Sequence, residues 1–99
     1  MTYADTFIGG TKTVSASATP EKLVALSTPC NGVWIGARHT AGVASNTREV
    51  LIGDSATQNM PIMPTNFEGY FIPINDAAEV YVKVAVNGEG VVYRIFASN

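Results

Sequence analysis

A Gly-Asp-Ser tripeptide at residues 53–55 is the part of this chain whose residue types could support hydrolysis. A serine becomes a nucleophile when a histidine takes its proton and an acid orients that histidine. Hydrolases built on such a block hold the serine where a strand leads into a helix, and their histidine comes from near the C-terminus. The single histidine, His39, precedes Ser55, and no segment has a sustained helical period. We expect Asp54 and Ser55 to form a turn bonded to its own backbone, and we predict no catalytic residues.

Four residues with metal-ligating side chains, Cys30, His39, Asp54 and Asp76, are scattered along the chain. A metal site needs several ligands that converge, and these four show no recognised spacing. Gly88-Glu89-Gly90 lacks the third glycine and the following helix of a dinucleotide-binding loop. Cys30 is the single cysteine, so a buried, unpaired thiol is expected. The sequence predicts neither a metal site nor a cofactor.

Charged residues make up 14% of the chain, and the formal net charge is −2. The six basic residues are scattered singly, whereas nucleic-acid binding needs a basic patch. No apolar run approaches the roughly eighteen residues of a membrane span, and no secretion-type leader opens the chain. We therefore predict no nucleic-acid and no membrane partner. So low a charge content is expected of a surface that another protein covers, and equally of a merely neutral polar surface.

The last third of the chain holds three runs with strand character, at residues 70–74, 80–86 and 91–97. In the second run four valines share one parity, and the third run alternates in the same way. Since alternate side chains of a strand point to opposite faces, each run has one apolar face. Asn87-Gly88 is typical of a hairpin turn, and an even loop sets the two apolar faces side by side. We predict that the second and third runs pair as a hairpin.

The rest of the chain alternates short apolar runs with turns rich in glycine and proline. Strands are predicted at residues 11–17, 33–40 and 48–52, whereas residues 57–68, with two prolines, favour a packed surface loop or a short edge strand. Many short strands separated by such turns predict an all-β fold. We expect a single antiparallel β-sandwich or jelly-roll-like domain of about seven or eight short strands at residues 11–99, preceded by an N-terminal arm at residues 1–10.

Aromatic and apolar residues outside the expected core are the candidates for binding a partner. Trp34 has the parity opposite to Val33 and Ile35 and lies beside Arg38, so it could belong to the core, to an interface or to a sugar-stacking platform. We favour the core or an interface. The candidate interface residues are Tyr3, Phe7, Ile8, Trp34, Arg38, Phe67 and Tyr70.

Four stretches stand out for the order in which they follow one another: a Thr/Ser-rich strand turning through Thr19-Pro20-Glu21-Lys22-Leu23, Cys30-Asn31-Gly32-Val33-Trp34-Ile35-Gly36-Ala37, Val50-Leu51-Ile52-Gly53-Asp54-Ser55, and Ile72-Pro73-Ile74 followed by Val80-Tyr81-Val82 and Val92-Tyr93-Arg94-Ile95. Their order resembles that of small β-sandwich proteins on the virions of tailed bacteriophages, the capsid decoration (cement) and head-fibre proteins. The chain departs from the pattern of these proteins at residues 59–69, where they more often have a short Pro-Gly-type turn.

The resemblance implies a non-enzymatic protein that is made in the host cytoplasm and decorates or cements the capsid exterior. Its implied partners are the major capsid protein and other copies of itself, with a homotrimer favoured. In that setting the residues 1–10 would add contacts or a strand to a neighbour. Two alternatives stay open: a carbohydrate- or receptor-binding β-sandwich module, and an adaptor at the tail or neck of the virion.

Overall fold

The computed structural model of the protein describes residues 6–97, which form short β-strands joined by tight turns. One 3₁₀ turn, Ala77–Glu79, precedes the ninth strand. The strands are β1 (Thr6–Thr13), β2 (Glu21–Lys22), β3 (Cys30–Ala37), β4 (His39–Thr40), β5 (Val43–Ala44), β6 (Val50–Gly53), β7 (Gln58–Ile62), β8 (Tyr70–Ile72), β9 (Tyr81–Val84) and β10 (Gly90–Ala97).

Two four-stranded antiparallel sheets make up most of the fold. The first sheet has the order β1-β10-β3-β8, and the second has the order β2-β9-β6-β7. A small hairpin of β4 and β5 stands beside them. The two sheets share one apolar core, so the fold is an antiparallel β-sandwich, and the all-β prediction is confirmed.

The core is built from alternating residues of the strands, including the valines that the pattern of residues 80–86 predicted on one face, except Val86, which is 37% exposed. Val80, Val82 and Val84 are buried from the second sheet, and Val33, Ile35 and Ala37 are buried from β3 of the first. Their strand neighbours of opposite parity point outwards, as the pleat requires. The fully enclosed side chains are Ile35, Ile52, Ile62, Ile95, Val14, Val33, Val50, Val80, Val82 and Val91.

The predicted hairpin between residues 80–86 and 91–97 is wrong. β9 pairs with β2 and β6 in the second sheet, whereas β10 pairs with β1 and β3 in the first. Residues 85–89 therefore carry the chain from one sheet to the other. The apolar faces of β9 and β10 do meet, but across the sandwich instead of side by side. Parity alone cannot separate these arrangements, because it fixes which face is buried and not which strand is adjacent.

The first described strand begins inside the segment that was expected to be an arm. β1 runs from Thr6 to Thr13 and pairs with β10 along its whole length, from Thr6–Ala97 to Thr13–Gly90. Residues 6–10 are thus part of the sandwich, and the expected boundary after Gly10 falls within a strand. Residues 1–5, including Tyr3, lie outside the described residues. The prolines of residues 57–68 fit the edge-strand alternative, because β7 contains Pro61 and ends the second sheet.

A buried polar cluster fastens residues 41–48 to the start of β10. The Glu89 carboxylate is buried and accepts hydrogen bonds from the Thr47 backbone and hydroxyl and from the Arg48 backbone. The Asn46 amide bonds both the carbonyl and the N–H of Gly90. Each buried polar group in the cluster has a partner, so the loop is held without an apolar anchor.

Candidate functional site

The outward side of the first sheet carries an exposed aromatic surface. Strand register places Phe7 beside Phe96, and Arg94 between Gly9 and Trp34. Trp34 is in turn opposite Phe71 on β8. We call this surface the outer face; its side chains are Phe7, Thr11, Thr13, Trp34, Phe71, Val92, Arg94 and Phe96.

Glycines on β3 let two aromatic rings approach this sheet closely. The Phe71 ring covers Gly32, where an added Cβ would overlap the ring. Trp34 covers Gly36, whose Cβ would come within 3.1 Å of the indole. The indole N–H donates to the carbonyl of Glu68 at 2.7 Å, which fixes the orientation of the ring. The far ends of both rings thus cover glycines on the outward side of the sheet instead of packing into the core.

The rings contact one another across the strands. The ring centroids of Phe7 and Phe96 are 6.1 Å apart, and those of Phe71 and Phe96 are 5.8 Å apart. Both pairs are tilted, as aromatic pairs prefer. Phe7 is 62% exposed and Phe71 is 55% exposed, so large apolar side chains face solvent at both ends of this row.

Arg94 is the cation at the centre of the outer face. Its guanidinium carbon lies 5.7 Å from the Trp34 ring and 6.0 Å from the Phe7 ring, which is cation–π distance. The side chain is exposed, and no described carboxylate lies within ion-pair distance of it. Among residues 6–97 the face thus offers a guanidinium without a carboxylate partner, whose hydrogen-bond donors can reach an external acceptor.

Of the residues predicted from the sequence as interface candidates, the structure brings Phe7 and Trp34 together through Arg94. Ile8 and Tyr70 are also exposed, at the two opposite edges of the first sheet. Tyr3 lies outside the described residues.

Arg38 and Phe67 have intramolecular contacts instead. Arg38 donates to the carbonyl of Gly88 at 2.9 Å and to the Thr13 hydroxyl, at the far end of β1 from Phe7. Phe67 packs on the core and against the His39 ring, at 4.5 Å between centroids. Both residues therefore have contacts that support the fold.

Sequence reasoning missed Phe71, Arg94 and Phe96 as members of the site. The signal was present, because Val92, Arg94 and Phe96 form the mixed face of their strand. Their proximity to Trp34 depends on β10 pairing with β3, and the predicted hairpin with residues 80–86 concealed that pairing.

The residues considered for hydrolysis and metal binding have local structural roles. The Asp54 carboxylate accepts from the N–H groups of Ala56 and Thr57, both at 2.9 Å, and these bonds lower its pKa. This confirms the expected self-bonded turn. No group of three or more metal-ligating side chains converges within residues 6–97. Cys30 is buried, as expected, and burial raises the pKa of its thiol.

Apart from the outer face, the structure has a groove between the two sheets, on the side where β7 and β8 are the edge strands. This groove has a volume of about 360 Å³ and is lined chiefly by Ile52, Met60, Ile72, Ile74 and Val80. Asp54 and Glu79 also line it and are exposed. No histidine or cysteine lines the groove, and the Asp54 carboxylate already accepts a hydrogen bond from the Thr57 N–H in its turn.

Comparison with protein-family models, curated proteins and solved structures found no match to this chain. Within residues 6–97 no helix is long and apolar enough to cross a membrane.

Proposed function

We propose that this chain is a non-enzymatic virion protein that binds the exterior of a capsid through protein–protein contacts. The observation that carries the binding role is the outer face, where exposed phenylalanines surround Trp34 and Arg94. Tryptophan, phenylalanine and arginine are enriched in protein interfaces, whereas lysine and glutamate are depleted. Tryptophan and arginine also supply much of the binding energy where they occur.

The shape of the outer face supports a protein partner. Because Phe71 and Trp34 lie over glycines, the face is broad and its apolar area is continuous with Phe96 and Phe7. Large exposed apolar patches are rare on monomeric proteins and mark interaction sites. A capsid lattice offers such a surface repeatedly, so a weak single contact suffices when copies bind side by side.

The virion setting rests on the resemblance in motif order to phage decoration and head-fibre proteins. In that setting the partner is the major capsid protein, and a homotrimer of this chain seats on a three-fold position of the shell. The sandwich observed here is compatible with that class, since it is a compact all-β unit with an exposed side free to bind.

Glycan binding is the main alternative, and the composition of the outer face favours it less. Sugar sites combine a stacking ring with several polar groups that bond the hydroxyls. Besides Arg94, the outer face offers the hydroxyls of Thr11 and Thr13, and that of Thr13 already accepts from Arg38. The indole N–H of Trp34 is bonded to the carbonyl of Glu68.

Co-sedimentation with shells assembled from the major capsid protein of the virus that encodes this chain tests the proposal. The double variant Phe7→Ser/Phe71→Ser should bind at least about tenfold more weakly, because it removes two exposed anchors. Leu26→Ser is the matched control, since Leu26 is 81% exposed but lies in the loop between β2 and β3. Circular dichroism should show all three proteins equally folded.

Two results would count against the proposal. If the wild-type chain does not sediment with the shells, the capsid is not its partner. If Leu26→Ser weakens binding as much as the double variant does, the outer face is not the contact. Quenching of Trp34 fluorescence by a glycan, with no shell binding, would establish the alternative.

A further inference from the structure

The free edge of β1 is the least protected strand edge of the described sandwich. β1 has eight residues, contains no proline and pairs with a strand on one side only. The other edge strands are guarded: β2 has two residues, β8 has three residues followed by Pro73, and β7 contains Pro61. Short strands and prolines are devices that prevent strand addition. β1 has neither, and its one charged residue, Lys12, lies near its end. The alternate residues of β1 whose N–H and C=O groups point away from β10 are therefore open to an added strand.

Arg94 reaches from β10 to this edge because the β1 residue beside it is Gly9. A Cβ on Gly9 would lie 3.4 Å from Nη1 of Arg94, so the guanidinium extends over the glycine. None of the outer-face side chains is acidic. One guanidinium without a carboxylate partner among the described residues therefore stands at the open edge, next to the exposed ring of Phe7.

We propose that the β1 edge and Arg94 form a site for an extended acidic segment of a partner protein. The segment adds a strand to β1 and presents an Asp or Glu opposite Gly9, where Arg94 binds it through paired hydrogen bonds. Residues two positions away share that face and pack on Phe7 if they are apolar. Backbone bonds along β1 supply affinity, and Arg94 supplies the register. This inference rests on the proposed function and names the chemistry of its partner.

A second copy of the chain fits this edge poorly. Antiparallel self-pairing must place residues of the same face opposite each other, so the two-fold axis passes through a residue of β1. With the axis at Gly9, the two Arg94 guanidinia meet above facing glycines. With the axis at Gly10, Gly9 lies opposite Thr11, and the two Gly9 residues are still roughly 8 Å apart. These two registers pair the most residues of β1. In both of them the two Arg94 guanidinia lie near each other, and neither register supplies a carboxylate.

Selection from random ten-residue peptides displayed on yeast tests the site without knowledge of the natural partner. Sorting on the purified full chain should enrich peptides with an Asp or Glu that has apolar residues two positions away. Fluorescence of Trp34, the single tryptophan, then measures binding of a synthetic consensus peptide. Arg94→Gln should weaken binding by about tenfold or more, since it removes a charge-assisted contact. Lys83→Gln is the control, because it removes a cation from β9 of the second sheet.

Gly9→Asp provides an independent variant. It places a carboxylate beside the guanidinium within the chain and should abolish peptide binding while the protein stays folded. Absence of any enriched peptide, enrichment of peptides without acids, or full binding by Arg94→Gln would each overturn the inference. The shell assay separates the two proposals. If wild type and Arg94→Gln bind shells equally, the capsid role stands and this inference fails; if no protein binds shells, the capsid role fails and the peptide result alone decides the edge.

Discussion

At the scale of single residues, the glycines of the first sheet decide what its outward side can do. Gly32 and Gly36 leave room for rings to lie on the strand, and Gly9 leaves room for Arg94. An isolated glycine weakens a strand, because it has no side chain to pack and loses more backbone entropy on folding. Here the covering ring replaces the missing side chain and shields the backbone bonds. The glycines that weaken β1 and β3 are thus the same residues that make room for the aromatic rings and for Arg94 on the outer face.

Two glycines on the paired strands β1 and β10 should respond differently to alanine. The Cβ of Gly90→Ala would overlap the carbonyl oxygen of Lys12, a backbone atom that cannot move without distorting the ladder. We expect Gly90→Ala to lower the free energy of unfolding by about 3 kcal/mol, in the range of overpacked sites. Gly9→Ala meets the flexible end of Arg94 at an ordinary 3.4 Å and should change it by less than about 1 kcal/mol. Urea denaturation of both variants measures the difference, and equal effects would contradict the β1–β10 register.

Glu89 should make the stability of the protein depend on pH. Burial acts to raise the pKa of Glu89, but hydrogen bonds from Thr47 and Arg48 and the charge of Arg38 outweigh it, so the pKa is lowered. A carboxyl whose pKa is lower in the folded state stabilises above its unfolded pKa, and that contribution disappears as the pH falls through its folded pKa. Stability from Glu89 is therefore present at pH 7 and is lost below about pH 4.5, a typical carboxyl range.

Glu89→Gln tests this account. At pH 7 the variant should be less stable by about 1–3 kcal/mol, because glutamine cannot accept all three hydrogen bonds as a carboxylate does. The deficit relative to wild type should shrink as the pH is lowered to about 3. Thermal unfolding followed between pH 3 and 7 provides the curve, with exposed Glu68→Gln as the control. A deficit that stays constant with pH would show that the lost charge is not its cause.

At the scale of elements, β1 is both part of the fold and an exposed edge. It forms a continuous ladder with β10, and Lys12 links it to Glu21 of β2 through a 2.9 Å ion pair. The deletion of residues 1–10, which would leave the fold intact if those residues were only an arm, removes five residues of β1. The edge of β10 would then be open to solvent over the same length.

We predict that the deletion of residues 1–10 lowers the free energy of unfolding by about 3 kcal/mol, since it removes about four to six ladder hydrogen bonds that each contribute roughly 0.5–1 kcal/mol. For a domain of this size that corresponds to a fall of roughly 12–24 °C in the melting temperature. Differential scanning calorimetry makes the measurement, and deletion of residues 1–5 alone, which keeps all of β1, isolates the share due to the strand. An unchanged melting temperature after the longer deletion would mean that residues 6–10 do not belong to the folded sheet.

At the scale of the whole molecule, the sequence predicted part of which strand faces are buried but not which strands are neighbours. Alternation along residues 80–86 predicted an apolar face whose Val80, Val82 and Val84 are buried, because burial acts on each strand separately, although Val86 of the same parity is 37% exposed. Along residues 33–40 alternation left open whether Trp34 or its neighbours Val33 and Ile35 face the core. The partner of β10 depends on how residues 85–89 cross between the sheets, and short-range turn signals favoured the wrong neighbour. The outer face was predictable only in part for the same reason. Phe7 and Trp34 were each predicted as interface candidates. Their shared contact with Arg94 exists because β10 lies between β1 and β3, and the sequence did not predict that pairing.

Arg94 should also control whether whole molecules associate with one another. The open β1 edge favours self-pairing, and the meeting of two guanidinia near Gly9 opposes it. Arg94→Gln removes that repulsion, so we predict that at about 0.1 mM its mass doubles relative to wild type, because a two-fold contact joins particles in pairs. Light scattering on a sizing column measures the mass, with Lys83→Gln as the control.

High salt should also raise the mass of wild type, because it screens exposed charges separated by about a Debye length. If Arg94→Gln and wild type have the same mass at every concentration, the edge is protected by something other than Arg94. Doubling of Arg94→Gln but not of Lys83→Gln would show that the Arg94 cation keeps the β1 edge free of other copies, the same edge at which we propose that it binds an acidic segment.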